Sequence, residues 1–95
     1  MLILFPLKVG AASILARGRN KDDGHIIKQI LKTGAIPIAL GSVPIALFSI
    51  ETYSNIIGRT LNPWDTKRAS GGSTGGDAVL VASNCVPITF GGDLV

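Results

Sequence analysis

The sequence predicts an α/β fold in which helices surround a mixed, mostly buried sheet. Short apolar runs alternate with segments of helical period, and glycines and prolines separate them. Of the 95 residues, 46% are hydrophobic. The mean hydropathy of +0.44 is high for so short a chain, because small domains expose much of their surface. The composition therefore favours a membrane protein or a piece of a larger domain over a small independent one.

Charge and cysteine content exclude several other classes of protein. Only 16% of the residues are charged, which with the high apolar content argues against a disordered chain. Cys85 is the single cysteine, so no intramolecular disulfide can form, and with His25 alone it makes no metal-binding cluster. The bases behind the net charge of +3 are few and are not interleaved with aromatic residues. We therefore expect no metal, no cofactor and no nucleic-acid partner.

The first apolar run, residues 2–7, is expected to form a buried strand. Lys8 follows this run and Pro6 interrupts it, whereas a secretory signal places its charge before the apolar segment. A mitochondrial presequence fits the acid-free start up to Arg19 somewhat better, but Ser13 is the only serine there. The buried strand is therefore preferred to a targeting segment.

A helix and a second apolar strand are expected next. Asp22 or Asp23 can cap the helix, and Gly34 can end it in a left-handed conformation. The apolar face of this helix comprises Ile26, Ile27, Ile30 and Leu31. Residues 35–40 then form a short apolar run bounded by glycines, which is typical of a buried strand. Pro37 places this strand at a sheet edge or beside a bulge.

A second helix is expected over residues 45–52, because Pro44 suits a first helical turn. Residues 33–50 carry no charge, but their two prolines and two glycines argue against a membrane-spanning helix. Turn-forming residues then predict an irregular segment, before a third helix and a last strand complete the pattern. These three segments cover residues 54–70, 77–83 and 86–90.

A glycine-rich loop, residues 70–76 with the sequence SGGSTGG, precedes the third helix. Glycines let a ligand approach the backbone closely, and the start of a helix attracts anions. The loop is therefore compatible with a non-catalytic α/β module that binds a phosphorylated small molecule, and also with a purely structural turn. A P-loop would require a lysine after the glycines, and none is present.

The flanks of this loop resemble the core of the amidase signature family of serine hydrolases. Residues 58–64 read GRTLNPW and residues 68–78 read RASGGSTGGDA. They are similar to the family's G-T-NP-(Y/W) and GGSSGG-x-A motifs, with Thr74 in place of the second serine. The resemblance implies a partial amidase signature domain over residues 1–95. Its start is uncertain over residues 1–21, and the signature core spans 58–78.

Further motifs are similar to the same family and to one of its branches. The GAIP and SVP sequences at residues 34–37 and 42–44 resemble a strand of the family and the helix entry after it. The NPW form, together with Phe48-Ser49 and Ser54-Asn55, most resembles the fatty acid amide hydrolase branch. In its full-length form the protein is thus expected to cleave carboxylic amides, including fatty acid amides.

The resemblance implies catalysis by a Ser–cis-Ser–Lys triad. Ser73 matches the middle serine, whose preceding peptide bond is cis in the family and which passes a proton between a neutral lysine and the nucleophilic serine. Lys8 is the candidate lysine, and it needs a desolvated environment to lose its proton near neutral pH. Val9 departs from the family pattern, which has an acid after the lysine.

The resemblance also implies a set of substrate-binding residues and the place of the nucleophile. Leu47 lies where the branch lines its acyl channel, although an apolar residue equally suits a helix core. The implied set is Leu47, Ser73, Thr74, Asp93, Leu94 and Val95. The nucleophilic serine would stand two positions beyond Val95, so we expect the 95-residue chain alone to be inactive.

The expected partner is a small-molecule amide. For the full-length form, the resemblance further implies membrane association and a homodimer.

Overall fold

The structure is a computed structural model that describes residues 23–92. Its regular elements are short. They are helix α1 (His25–Lys32), a 3₁₀ helix (Ile45–Leu47), strands β1 (Tyr53–Ser54) and β2 (Gly58–Arg59), and helix α2 (Gly75–Ala82). The predicted strand at residues 2–7 lies outside the described part of the chain.

Helix α1 confirms one predicted boundary and corrects the other. Gly24, in an extended conformation, is the N-cap and supplies no side-chain hydrogen bond, so Asp23 is not the cap that the sequence suggested. Asp22 lies outside the described residues. At the other end, Gly34 has a φ of +85° and donates its N–H to Leu31 O at 3.1 Å. This left-handed glycine ends the helix as predicted.

The predicted strands at residues 35–40 and 86–90 do not form. A strand needs a neighbour to complete its backbone hydrogen bonds, and among residues 23–92 the only sheet is the pair β1–β2. The two segments instead line the same cavity of about 210 Å³, together with side chains of α1 and α2. The two segments therefore line one apolar cavity but form no hydrogen-bonded strand pair with each other.

The predicted helix over residues 45–52 is reduced to the 3₁₀ helix. Ala46 and Leu47 have φ angles of +58° and +63°, and left-handed residues of this kind cannot continue a right-handed α-helix. Pro44, which is buried, immediately precedes the turn and accepts the Leu47 N–H through its carbonyl at 3.1 Å.

The segment predicted to be irregular contains a small antiparallel hairpin. Tyr53 pairs with Arg59 and Ser54 with Gly58, and Ser54 Oγ accepts the Ile57 N–H at 3.1 Å to close the turn. Ser54 is buried while Tyr53 is exposed. Within residues 23–92 the sheet is therefore antiparallel and half-exposed, not mixed and mostly buried.

A second, longer hairpin continues from the first and leads into the glycine-rich loop. Leu61 and Ala69 form an antiparallel bridge, and Asn62 donates its N–H to Arg68 O at 3.0 Å. The Thr60 N–H is bonded to Thr52 O at 2.9 Å. These bonds join the second hairpin to the segment around Thr52.

Helix α2 confirms the third predicted helix but begins at Gly75, two residues earlier than expected. It ends at Ala82, and the left-handed Asn84 (φ +55°) follows. The Cys85 N–H then returns to Leu80 O at 3.0 Å. Neither α1 nor α2 is long and apolar enough to cross a membrane, and they are the only α-helices among residues 23–92.

Candidate active site at the glycine-rich loop

The glycine-rich loop, residues 70–76, joins the second hairpin to α2. Gly71 adopts a φ of +79°, a left-handed conformation that glycine tolerates without steric cost. The Gly72–Ser73 peptide bond is cis, the geometry that the resemblance implied for the bond before Ser73. The loop thus presents Ser73 just before the first turn of α2.

Thr52 forms hydrogen bonds to this loop through both its side chain and its backbone. Its Oγ1 lies 2.9 Å from Gly71 O and 3.3 Å from Ser73 O, and it accepts the Gly75 N–H at 2.9 Å. The Thr52 backbone N–H also donates to Gly71 O at 3.1 Å. The residue is only 1% exposed. Sequence patterns did not single out Thr52, because its role depends on contacts about twenty residues away along the chain.

Three glycines of the loop are packed where no side chain fits. A Cβ on Gly72 would stand 2.8 Å from Ser49 O and from the Glu51 carbonyl carbon. A Cβ on Gly75 would overlap the Thr52 side chain, and one on Gly76 would overlap the Ser42 backbone. Contacts this short are closer than non-bonded heavy atoms normally approach. These glycines therefore allow the loop to pack closely against neighbouring segments of the same chain.

The start of α2 offers little to an anion. The Gly75 N–H is bonded to Thr52 Oγ1, the Gly76 N–H to Ser42 O and the Ala78 N–H to Thr74 O. The remaining N–H of the first turn belongs to Asp77, whose own carboxylate lies beside it. Donors already in use and an acidic side chain are unsuited to a phosphate. This geometry does not favour the phosphate-binding alternative.

Ser73 is half-buried, and within residues 23–92 its hydroxyl forms no hydrogen bond. Its neighbour Thr74 donates its hydroxyl to Gly92 O at 2.6 Å. This bond ties the loop to the last described residue, directly before the predicted substrate-binding segment. Gly91 also packs against the Thr74 side chain.

Of the remaining predicted site residues, the structure describes only Leu47. Leu47 lies in the 3₁₀ helix and is 46% exposed. The other predicted positions lie outside residues 23–92. They are Lys8, Asp93, Leu94 and Val95.

Asp77 is a second residue that sequence reasoning missed. It stands in the first turn of α2 and lines the apolar cavity shared by residues 35–40 and 86–90. Desolvation by burial raises the pKa of its carboxyl, while the backbone N–H groups of Asp77 and Gly41 act in the opposite direction. In the sequence, only its position before a run of apolar helical residues could have indicated that Asp77 lies at the border of an apolar cavity.

Comparison with known proteins identifies the family. A family model described as Amidase matches residues 8–94. The chain belongs to the amidase family. This confirms the family that the motifs around the glycine-rich loop predicted, and it agrees with an α/β fold class.

Several curated relatives of this amidase chain match most of its length. An amidase of Gibberella zeae (Amidase FG08078) is 45% identical over 76 residues, which are 80% of this chain and 14% of that protein. A glutamyl-tRNA(Gln) amidotransferase subunit of Methanococcoides burtonii is 39% identical over 71 residues, 75% of this chain and 15% of that protein. Fatty-acid amide hydrolase 1 of Sus scrofa is 36% identical over 90 residues, 90% of this chain and 16% of that protein.

The chain is therefore similar in sequence to a limited part of each relative. It spans 14–16% of the length of these three proteins. No solved structure shows a significant match to the chain.

Proposed function

We propose that the protein to which this chain contributes hydrolyses carboxylic amides. The observation that carries the proposal is Ser73, presented by the packed GGSTGG loop with a hydroxyl that no group among residues 23–92 engages. Membership in the amidase family supports the same chemistry. Because the chain covers about one seventh of the length of its relatives, the proposal concerns the complete amidase domain.

The proposed mechanism is an acyl transfer in which Ser73 relays a proton. A nucleophilic serine attacks the amide carbonyl, gives its proton to Ser73 Oγ, and Ser73 gives its own proton to a neutral lysine. The tetrahedral intermediate collapses, the C–N bond breaks, and the leaving amine takes a proton back along the same relay. Water then attacks the acyl-enzyme and releases the carboxylic acid.

Lys8 is the proposed base at the end of this relay. A lysine accepts a proton only when it is neutral, so the site must lower its pKa by excluding water from it. The apolar residues before Lys8 support such an environment. The proposed nucleophile is the serine expected two positions after Val95 in the family pattern.

Fatty acid amides are the proposed substrate class. Support comes from the similarity to fatty-acid amide hydrolase 1 of Sus scrofa and from the apolar Leu47, the proposed acyl-chain contact. Ser73, Thr74, Asp93, Leu94 and Val95 are the proposed contacts at the scissile amide. Membrane association and a homodimer of the full-length form belong to the same proposal.

We further propose that residues 35–40 and 86–90 belong to a mixed, buried sheet in the complete domain. Both segments are apolar and line one cavity beneath α1 and α2. Strands paired at their edges would complete their backbone hydrogen bonds, and helices packed on the faces of the sheet would remove their side chains from water. Residues 1–95, a partial amidase signature domain in this proposal, would then be part of the interior of a larger α/β domain.

The test is hydrolysis by the protein expressed from its complete coding sequence, with oleamide and acetamide as substrates. We expect turnover of oleamide with the larger kcat/KM, and a loss of about 10²–10⁴-fold in kcat for Ser73→Ala, the range of a lost general acid–base group. Ser83→Ala, an exposed serine after α2, is the matched control and should retain activity. Equal activity of the two variants would refute the role of Ser73, and a preference for acetamide would refute the fatty substrate.

A further inference from the structure

Thr52 has a more specific role in the structure than an ordinary core threonine. We propose that it is a positioning residue for Ser73, acting through the backbone on both sides of that residue. The inference rests on the proposed amide hydrolysis, because it concerns how accurately Ser73 is held for proton transfer. Among residues 23–92, Thr52 contacts the backbone carbonyl of Ser73 and forms no hydrogen bond with its hydroxyl.

The contacts of the Thr52 side chain converge on the glycine-rich loop. Its hydroxyl has one proton to donate, shared between Gly71 O at 2.9 Å and Ser73 O at 3.3 Å. The same oxygen accepts the Gly75 N–H at 2.9 Å. One side chain therefore holds the backbone before, at and after Ser73.

The Thr52 hydroxyl is buried against the glycine-rich loop. At 1% exposure, Thr52 is inaccessible to water, and all three of its side-chain partners are backbone atoms of the loop. Gly72 is pressed onto the backbone of Ser49 and Glu51 on the same side of the loop. Residues 49–52 thus form the segment against which the loop packs.

This arrangement matters for catalysis because proton transfer depends on distance. A relay hydroxyl must lie within about 2.6–3.2 Å of both its donor and its acceptor. A displacement of about 1 Å can cost about a hundredfold in rate. When the Thr52 hydroxyl is removed, the Ser73 carbonyl and the Gly75 N–H lose a shared partner, so we expect the loop to shift.

Three variants of the complete protein separate positioning from general stabilisation. Thr52→Val keeps the shape of the side chain and removes the hydroxyl, and Thr52→Ser keeps the hydroxyl. Thr60→Val removes a half-buried hydroxyl that bonds Ser42 Oγ at 2.7 Å and does not contact Ser73. It is the matched control, since the same atoms change about eight residues away.

We expect Thr52→Val to lower kcat for oleamide by about tenfold to a hundredfold, with little change in KM. Thr52→Ser should restore most of this loss. Thr60→Val should lower Tm by a comparable amount yet keep kcat. Equal kcat in Thr52→Val and Thr60→Val, or no rescue by Thr52→Ser, would overturn the proposal.

Amide hydrogen exchange distinguishes this proposal from the proposed function. In the ¹⁵N-labelled protein, Gly75 N–H should exchange faster in Thr52→Val than in Thr60→Val, whether or not amides are hydrolysed. Absence of Ser73-dependent hydrolysis in the wild type would overturn the proposed function, and with it the catalytic purpose of Thr52. Unchanged Gly75 exchange would overturn the anchoring by Thr52 while leaving the proposed function intact.

Discussion

At the scale of single residues, several positions of the loop require glycine because no space is left for a side chain. Gly76 lies against the backbone of Ser42 and donates its N–H to Ser42 O at 3.2 Å. Ala78, by contrast, is an exposed residue of the same helix. The two positions therefore form a natural pair for measuring close packing.

Gly76→Ala should destabilise the protein although alanine is the better helix former. Alanine gains about 1 kcal/mol of helix propensity over glycine, but its Cβ would force α2 away from Ser42, and overpacking of this kind costs about 1–3 kcal/mol. We expect a lower free energy of unfolding by urea denaturation.

Ala78→Gly is the control, because helix propensity alone should lower its free energy of unfolding by about 1 kcal/mol. A Gly76→Ala protein more stable than the wild type, as helix propensity alone would make it, would contradict the packing of α2 on Ser42.

At the scale of elements, α2 connects the glycine-rich loop to the apolar cavity. Its first turn contributes Gly75 and Gly76 to the loop and Asp77 to the cavity, and Leu80 of the second turn also lines the cavity. A carboxylate at this border is favoured by nearby backbone N–H groups and disfavoured by its partial removal from water. Desolvation is the larger effect, so the pKa of Asp77 is raised.

The raised pKa of Asp77 predicts a definite pH dependence of stability. When the pH exceeds 3.8, the pKa of this carboxyl in the unfolded state, the folded state binds more protons than the unfolded state. This excess ends once the pH passes the higher pKa of the folded state. The free energy of unfolding therefore falls as pH rises through that interval. Asp77→Asn removes the titrating group, so we expect this part of the pH dependence to disappear.

The measurement is urea unfolding of wild type and Asp77→Asn between pH 3 and pH 7. The difference in unfolding free energy, wild type minus variant, should be constant below the unfolded pKa and become more negative above it. A difference that stays constant, or that rises with pH, would contradict the burial of the Asp77 carboxyl.

At the scale of the whole molecule, little of the apolar surface is covered. Val86 is the only buried hydrophobic residue among those described. Large apolar side chains of residues 35–40 and 86–90 are exposed, including Ile36 at 72% and Ile88 at 65%. Contiguous apolar surface of this kind promotes association with other apolar surfaces.

We expect the isolated 95-residue chain to bind the dye ANS and to sediment with a concentration-dependent mass. The double variant Ile36→Lys/Ile88→Lys should reduce both, because it places charge on the apolar surface. Gln29→Lys/Asn55→Lys adds the same charge at exposed polar positions and should leave both unchanged. Equal behaviour of the two double variants would show that net charge, and not the apolar segments, controls association.

Local sequence patterns predicted features whose causes are local. Gly34 ends α1 because a left-handed residue after a helix needs only its own backbone freedom. The helix after the glycine-rich loop was also predicted from local sequence, and its start was placed two residues too late. The hairpin at Tyr53–Ser54 was missed, since its two-residue strands are too short to show an alternating pattern.

The sequence by itself determined the family and the glycine-rich loop, and it predicted Ser73 as a site residue, because motifs of adjacent residues carry all three. Only the tertiary structure decided that Thr52 anchors the loop and that Gly76 rests on Ser42. It also decided that residues 35–40 and 86–90 share a cavity without forming strands. The physical reason is that hydrogen bonds, close packing and strand pairing join atoms distant along the chain, and apolar character alone does not specify the partner.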